Sequence, residues 1–167
     1  GARNISKIKD VVDVKGSVEI SIDNDESMYE FSTAKTNQYR ASVNISVGCD
    51  KKCTYCIVPS TRGEEISIPP EMIVEQVRKS VALGAVEVTL LGQNVNSYGR
   101  NFSDGRGKYS FTNLLQDVSK IEGLERIRFT SPHPLHMDDD FIEEFAKNPK
   151  ISKCIHMPLQ SGSTEIL

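Results

Sequence analysis

Cys49, Cys53 and Cys56 stand at the spacing C-x3-C-x2-C, and this cluster constrains the chain more than any other feature. Thiolates are soft donors that select iron-sulfur clusters, zinc or copper(I). The only other cysteine is Cys154, about a hundred residues away. Closed structural zinc sites and electron-carrying ferredoxin centres use four protein ligands. Three thiolates on a four-iron cubane leave one iron open to a ligand that is not protein, which makes it a place for chemistry. The competing reading is a zinc knuckle or rubredoxin-like site that recruits Cys154 as its fourth ligand.

The bulk composition is less informative. A chain of 167 residues has room for one domain, and a hydrophobic content of 38% with six Phe, five Tyr and no Trp suffices for an ordinary core. The formal charge of -3 and pI near 5.7 carry no basic signature, so any nucleic-acid contact must be local or lie elsewhere. No run of about 18 apolar residues is available for a membrane helix, and no basic-then-apolar leader is visible. These features predict a cytoplasmic protein with reduced thiols and no membrane partner, and a monomer is the expected state. The first residue is not Met and the last five resemble an opening helical turn, so the chain reads as a piece of a longer protein.

From Ala41 onward strand and helix signals alternate. Residues 42–47 form a β-branched run that opens into the cysteine loop. Ile73, Val77 and Val81 define one apolar face of a helix between Pro69 and Leu83, with prolines at its start and Gly84 at its end. Val86 to Leu91 is a second strand. Phe111, Leu114, Leu115, Val118 and Ile121 mark a second helix closed by Gly123, and 126–131 a third strand. A shorter helix is predicted near 138–147, a fourth strand at 154–159, and a turn into another helix after Gln160. Repeating units of this kind predict an α/β fold with parallel strands, here the first four strand-helix units of a partial (β/α) barrel truncated at its C-terminus. Residues 1–22 carry a short alternating strand, and 23–40 read as a linker and lead-in strand. The Asn96–Ser110 connection reads as an exposed, solvated insertion, in which Arg100, Arg106 and Lys108 leave a phosphate-contacting role open.

Each suspicious motif falls at a predicted strand's C-terminal end, where parallel barrels build active sites. The cysteines follow the first strand, Leu91–Asn94 the second, Ser131–Pro134 the third and Gln160–Ser163 the fourth. Taken singly, each has a plain alternative. Gly92, Gln93 and Asn94 suit a strand-ending turn, His133 a rigid turn between prolines, and His156, within a strand, packing or a hydrogen bond behind the site rather than metal ligation. Arg62 with Glu64 and Glu65 suits a loop ion pair worth little if exposed.

The cysteine run, with Tyr55 just before the last cysteine, resembles the cluster motif of the radical S-adenosylmethionine (SAM) superfamily. The resemblance implies that the open iron of a 4Fe-4S cluster on Cys49, Cys53 and Cys56 chelates SAM and injects an electron. The sulfonium then breaks to methionine and a 5'-deoxyadenosyl radical, and Tyr55 lies beside the adenine. The four blocks GCDKKCTYCIVPSTRGEE, LLGQNVNSYG, RIRFTSPHP and HMPLQSGS resemble, in that order, the methylthiotransferase family, and LLGQNVNSYG is closest to its tRNA-modifying (MiaB-like) branch. That branch places a methylthio group on carbon 2 of an isopentenylated adenosine beside the anticodon, consuming two SAM molecules. By this resemblance Gly92, Gln93 and Asn94 match the SAM amino-group motif. Ser131, His133, Gln160 and Ser161 fall in the same cavity, and Arg62 and Glu64 face the substrate. The implied partners are tRNA and a reductant such as flavodoxin or ferredoxin.

Departures from the family pattern are also visible. Its members carry an N-terminal domain with three further cysteines for an auxiliary cluster, and no cysteine precedes Cys49 here. Residues 1–22 resemble only that domain's tail, 23–40 the linker and 41–167 an incomplete radical SAM core. Two other classes stay open: a sibling enzyme acting on a ribosomal protein, and a non-catalytic zinc- or iron-sulfur-binding α/β module.

Overall fold

A computed structural model of the chain describes residues 33–37, 39–102 and 109–166. The strand expected within 1–22, and Arg106 and Lys108, lie outside the described residues. Strands β1 (Thr33–Asn37) and β2 (Arg40–Asn44) form an antiparallel hairpin. β3 (Ser46–Val47) leads into the cysteine loop, which is followed by a short helix α1 (Val58–Arg62) and β4 (Ile66–Ser67). Helix α2 (Pro70–Ala82), β5 (Glu87–Leu91), α3 (Phe111–Ser119), β6 (Arg126–Phe129) and α4 (Asp139–Lys147) follow, with single 3-10 turns at Val95–Ser97 and Pro134–His136.

The main sheet has the order β1-β2-β5-β6, with β2, β5 and β6 parallel. Register fixes the core. Ala41 and Val43 of β2 align with Val88 and Leu90 of β5, and these with Ile127 and Phe129 of β6. All six are buried, and the five larger ones form one cluster with Ile73 and Val77 of α2, Leu114, Leu115 and Val118 of α3, and Phe141 of α4. Full burial of each such side chain contributes roughly 1.5–3 kcal/mol. Phe111, Phe129 and Phe141 meet with ring centroids 5.4 to 5.9 Å apart. Ser110 caps α3 in a reciprocal capping box with Asn113, and Pro70 opens α2 where a missing N–H costs nothing.

The opposite sheet face is polar. The neighbouring residues Arg40, Glu87 and Arg126 lie side by side, and Arg128 joins them one pleat further on. The buried Glu87 carboxylate takes Arg40 at 3.3 Å, Arg126 at 3.1 Å and Arg128 at 3.2 Å. Burial pushes its pKa up, but the hydrogen bonds from Arg126 and Arg128 outweigh that and hold it below the ordinary glutamate value.

Three expectations need correction. The fourth strand at 154–159 does not form. Beyond β6 the parallel ladder continues only as a bridge between Ile127 and Ile151, and the Cys154 N–H then turns back to the Ser152 carbonyl at 2.7 Å. Pro158 also removes a donor that a strand there would need. The segment after Ser163 is a turn, not a helix. The described parallel sheet therefore has three strands and a bridge, with no fourth unit. The first half of the 96–110 connection is not a solvated loop either, because Asn96, Ser97 and Tyr98 are buried.

Candidate cluster and SAM site

The cysteine loop is carried by the small antiparallel hairpin β3-β4, which lies beyond the C-terminal end of β2. Gly48 enters it with φ +79°, and the Cys49 N–H donates to the Gly63 carbonyl at 3.1 Å. The TRGEE segment is thereby laid directly on the cysteines. Cys49, Cys53 and Cys56 all line one open cleft of about 1000 Å3, together with Glu64, Asp50, Glu65 and Asn101. All are free thiols. Burial pushes the Cys49 thiol above its ordinary pKa, the charges of Glu65, Cys53 and Cys56 add to this, and the backbone of Lys51 offsets part of it. Loading metal there releases that proton.

The donor set fits a cluster. Among the described residues no three His, Cys, Asp or Glu side chains converge as ligands of one metal ion. The fit rests on the three thiols that line the one cleft, soft donors of the kind that iron-sulfur clusters take. Cys154 is exposed and does not line the cleft.

The other anticipated residues are dispersed around this centre. Gly92 sits beneath the hairpin, where a Cβ would lie 2.6 Å from Ser46 Oγ. Gln93 is half-buried and Asn94 buried. Both polar atoms of the Asn94 amide, like Ser46 Oγ, lack a hydrogen-bond partner, a costly arrangement for buried groups. Ser131 and Gln160 are the two non-glycine described residues with positive φ, at 54° and 67°. Backbone strain of this kind concentrates at functional sites. His133 is half-buried, and burial, then the charge of Lys51, lowers its pKa. Tyr55 and Arg62 are exposed, and neither lines the cleft. Ser161 is half-buried near the end of the described chain, where Thr54 Oγ1 of the cysteine loop donates to the Ile166 carbonyl at 3.0 Å. His156 is exposed, in contrast to its expected packing within a strand.

Sequence reasoning missed the residues that join these loops. Asn96 donates to the carbonyls of His133 and His136, both at 2.9 Å, and accepts the His133 N–H at 2.7 Å. Ser97 Oγ lies 2.5 Å from both carboxylate oxygens of buried Glu65. Tyr98 Oη donates to Ile68 O at 2.6 Å, and the Gly99 N–H to Ser67 Oγ at 2.9 Å. The Asp50 carboxylate accepts from the Glu65 N–H and from Asn101 Nδ2, both at 2.8 Å. The segment 96–101 thus clamps the cysteine hairpin on one side and the Ser131–Pro134 loop on the other. No periodicity announces such contacts; the one local sign is a run of small polar residues straight after a buried strand.

A parallel sheet with a three-thiol cleft beyond the end of its first strand is the arrangement of a radical SAM protein, and residues 43–167 match the Radical SAM superfamily, to which this chain belongs. Over its whole length it is 90% identical to a tRNA-2-methylthio-N(6)-dimethylallyladenosine synthase of Aliarcobacter butzleri, of which it covers 38%. Proteins of the same name from Nitratiruptor sp. and Sulfurovum sp. are 65% and 66% identical over all 167 residues, which cover 39% of each. The chain thus spans about two fifths of the length of these relatives. Superfamily membership makes a 4Fe-4S cluster and SAM its cofactors. Among the described residues no helix is long and apolar enough to cross a membrane.

Proposed function

We propose that this chain is the first part of the radical SAM barrel of an enzyme that methylthiolates a dimethylallylated adenosine in tRNA. The observation that carries the reading is the convergence of Cys49, Cys53 and Cys56 on one cleft, in a chain 90% identical to such a synthase. In this assignment residues 1–22 end a preceding domain, 23–40 link it, and 41–167 begin the barrel. The three cysteines hold the cluster, which with SAM supplies a 5'-deoxyadenosyl radical for hydrogen abstraction.

The chain's own residues bind and orient. Gly92 leaves room for close backbone approach, and the unpartnered amide of Asn94, with Gln93, receives the amino group of SAM. Tyr55, exposed beside Cys56, provides an aromatic face for adenine. Ser131, His133, Gln160 and Ser161 border the SAM cavity, two of them through strained backbone. Glu64, in the cleft lining, and the exposed Arg62 face the substrate. A flavodoxin or ferredoxin supplies electrons, and the enzyme works as a cytoplasmic monomer. No observation favours a ribosomal-protein substrate or a non-catalytic zinc module.

Anaerobic reconstitution tests the assignment. Alanine at Cys49, Cys53 or Cys56 should abolish iron binding, and alanine at Cys154 should leave it intact. Substituting Gln93 or Asn94 should leave iron content unchanged and weaken SAM about tenfold or more, since a hydrogen bond to a charged group is worth about 1.5–3 kcal/mol. Mass spectrometry of digested tRNA, after incubation with the full-length enzyme, should show the methylthio product. Dependence of the cluster on Cys154 would overturn the reading.

A further inference from the structure

Glu65 is a buried carboxylate that the assignment above leaves without a task. It lines the cysteine cleft, yet no Arg, Lys or His lies within ion-pair distance in any contact described for it, and burial raises its pKa. Lys51 and Arg100 act on it only as more distant charges. Its side-chain partner is Ser97, 32 residues further along, at 2.5 Å from both carboxylate oxygens. A second acceptor, the Asn94 carbonyl, lies 2.8 Å from the same hydroxyl. Ser97 Oγ therefore connects the TRGEE segment, laid on Cys49, to the backbone of Asn94 itself. Burying a carboxyl is expensive, and an apolar residue of similar size would fill the space at less cost.

We propose that Glu65 and Ser97 are positioning residues: their contact fixes the Gly92–Asn94 turn against the cysteine hairpin and so sets where SAM lies relative to the cluster. This rests on the radical SAM assignment of both loops. The two halves of the site come from different sheets, the cysteines from β3-β4 and the turn from β5. A main-chain bond from Ile45 to Leu91 joins them at the base of the hairpin. Nearer the cleft, the Glu65–Ser97 contact takes over that connection, with Asp50 and Asn101 bracing it from the other side. A displacement of about 1 Å between reacting partners can cost a hundredfold in rate, so such a brace acts on chemistry without touching substrate.

The test uses the full-length holoenzyme, with iron content, calorimetric SAM affinity and reductive SAM cleavage measured for each variant. S97A and E65A should keep wild-type iron, bind SAM about tenfold more weakly and cleave it ten- to a hundredfold more slowly. SAM should also perturb the spectrum of the reduced cluster less than in wild type. E65Q, whose amide still hydrogen-bonds Ser97, should stay within about threefold of wild type. The double variant E65A/S97A should be no worse than the worse single variant, because the two residues act as one contact. Wild-type affinity and rate in S97A and E65A at full iron would overturn the proposal. So would an E65Q as damaged as E65A, or additive losses in the double variant. Loss of iron from S97A, the smallest change, would show that the contact builds the hairpin and does not position SAM. A wild-type protein that takes up no cluster or no SAM defeats the functional assignment first, before any variant is compared.

Discussion

Gly48 and Glu64 meet backbone to backbone: a Cβ on Gly48 would lie 2.0 Å from the Glu64 carbonyl oxygen and 2.6 Å from that of Gly63. The adjacent Cys49 is held to Gly63 by its own N–H. Cys49 is thus placed by a contact that only glycine allows, at a φ of +79° that side chains resist.

G48A should therefore unfold the hairpin or displace Cys49. The expected loss is about 3 kcal/mol or more, combining left-handed strain with a backbone clash that no rotamer relieves. Urea denaturation reads the stability, and iron counting after reconstitution reads the ligand geometry. G162A is the matched control, since a Cβ at Gly162 meets nothing within 4 Å. Equal behaviour of the two variants would contradict the close approach.

Asn96 joins the loops after β5 and β6 with three hydrogen bonds. N96A leaves two carbonyls and one N–H of the 133–136 turn without this partner, at roughly 2 to 4 kcal/mol. N96D should be at least as harmful, because its carboxylate faces the carbonyls of His133 and His136 with no proton to offer. Thermal unfolding measures both, and hydrogen exchange at the His133 amide should accelerate in N96A. An unchanged Tm in both variants would count against the latch.

The contrast between what the sequence discloses and what it hides is physical. Strands β5 and β6 are legible from short apolar runs, the β-branched run at 42–47 divides between β2 and β3, and α2 and α3 are legible from apolar residues at helical spacing, because each signal is local. The cysteine spacing is equally local, since neighbouring ligands must reach one cluster. The Glu65–Ser97 and Asn96–His133 contacts span 32 and 37 residues between polar side chains and leave no pattern. Residues 154–159 mislead for another reason. Ile155, Met157 and Leu159 alternate as a strand face does, but a strand also needs a paired backbone, and pairing with β6 stops at Ile151. Helix α1, five residues without a buried side chain, has no apolar face to detect.

Glu87 makes acid sensitivity testable. Its folded pKa is depressed, so its contribution to stability is present above the unfolded value near 4.5 and is lost as pH falls below it. E87Q should remove that part of the acid slope. At pH 7 it should cost roughly 1 to 3 kcal/mol, discounted for the half-exposed guanidiniums. Denaturant titrations at pH 3.5, 4.5 and 7 give the comparison. Parallel curves for wild type and E87Q would mean that the three arginines contribute nothing through this carboxylate.

His136 also makes stability depend on acid pH, through a base held neutral. Burial first, then the charges of Lys51, Arg100 and His133, pull its pKa from 6.5 down to about 4, with Asp138 opposing. Its Nε2 is buried without a hydrogen-bond partner, so the ring is held neutral in the folded protein. Because the folded pKa lies below the unfolded one, the stability tied to the neutral ring is complete above pH 6.5. It declines by up to roughly 1.4 kcal/mol per pH unit as pH falls toward about 4. His133, shifted in the same direction by burial and Lys51, contributes in the same window, so the comparison must be with a variant at His136 alone. H136Q should flatten the stability profile between pH 6.5 and 4 while leaving the slope due to His133. Imidazole proton resonances followed by NMR in the wild-type protein should move with a midpoint near 4 for His136. A midpoint near 6.5 would show that water reaches the ring, and that the turn following Ser131–Pro134 opens where Asn96 is expected to hold it closed.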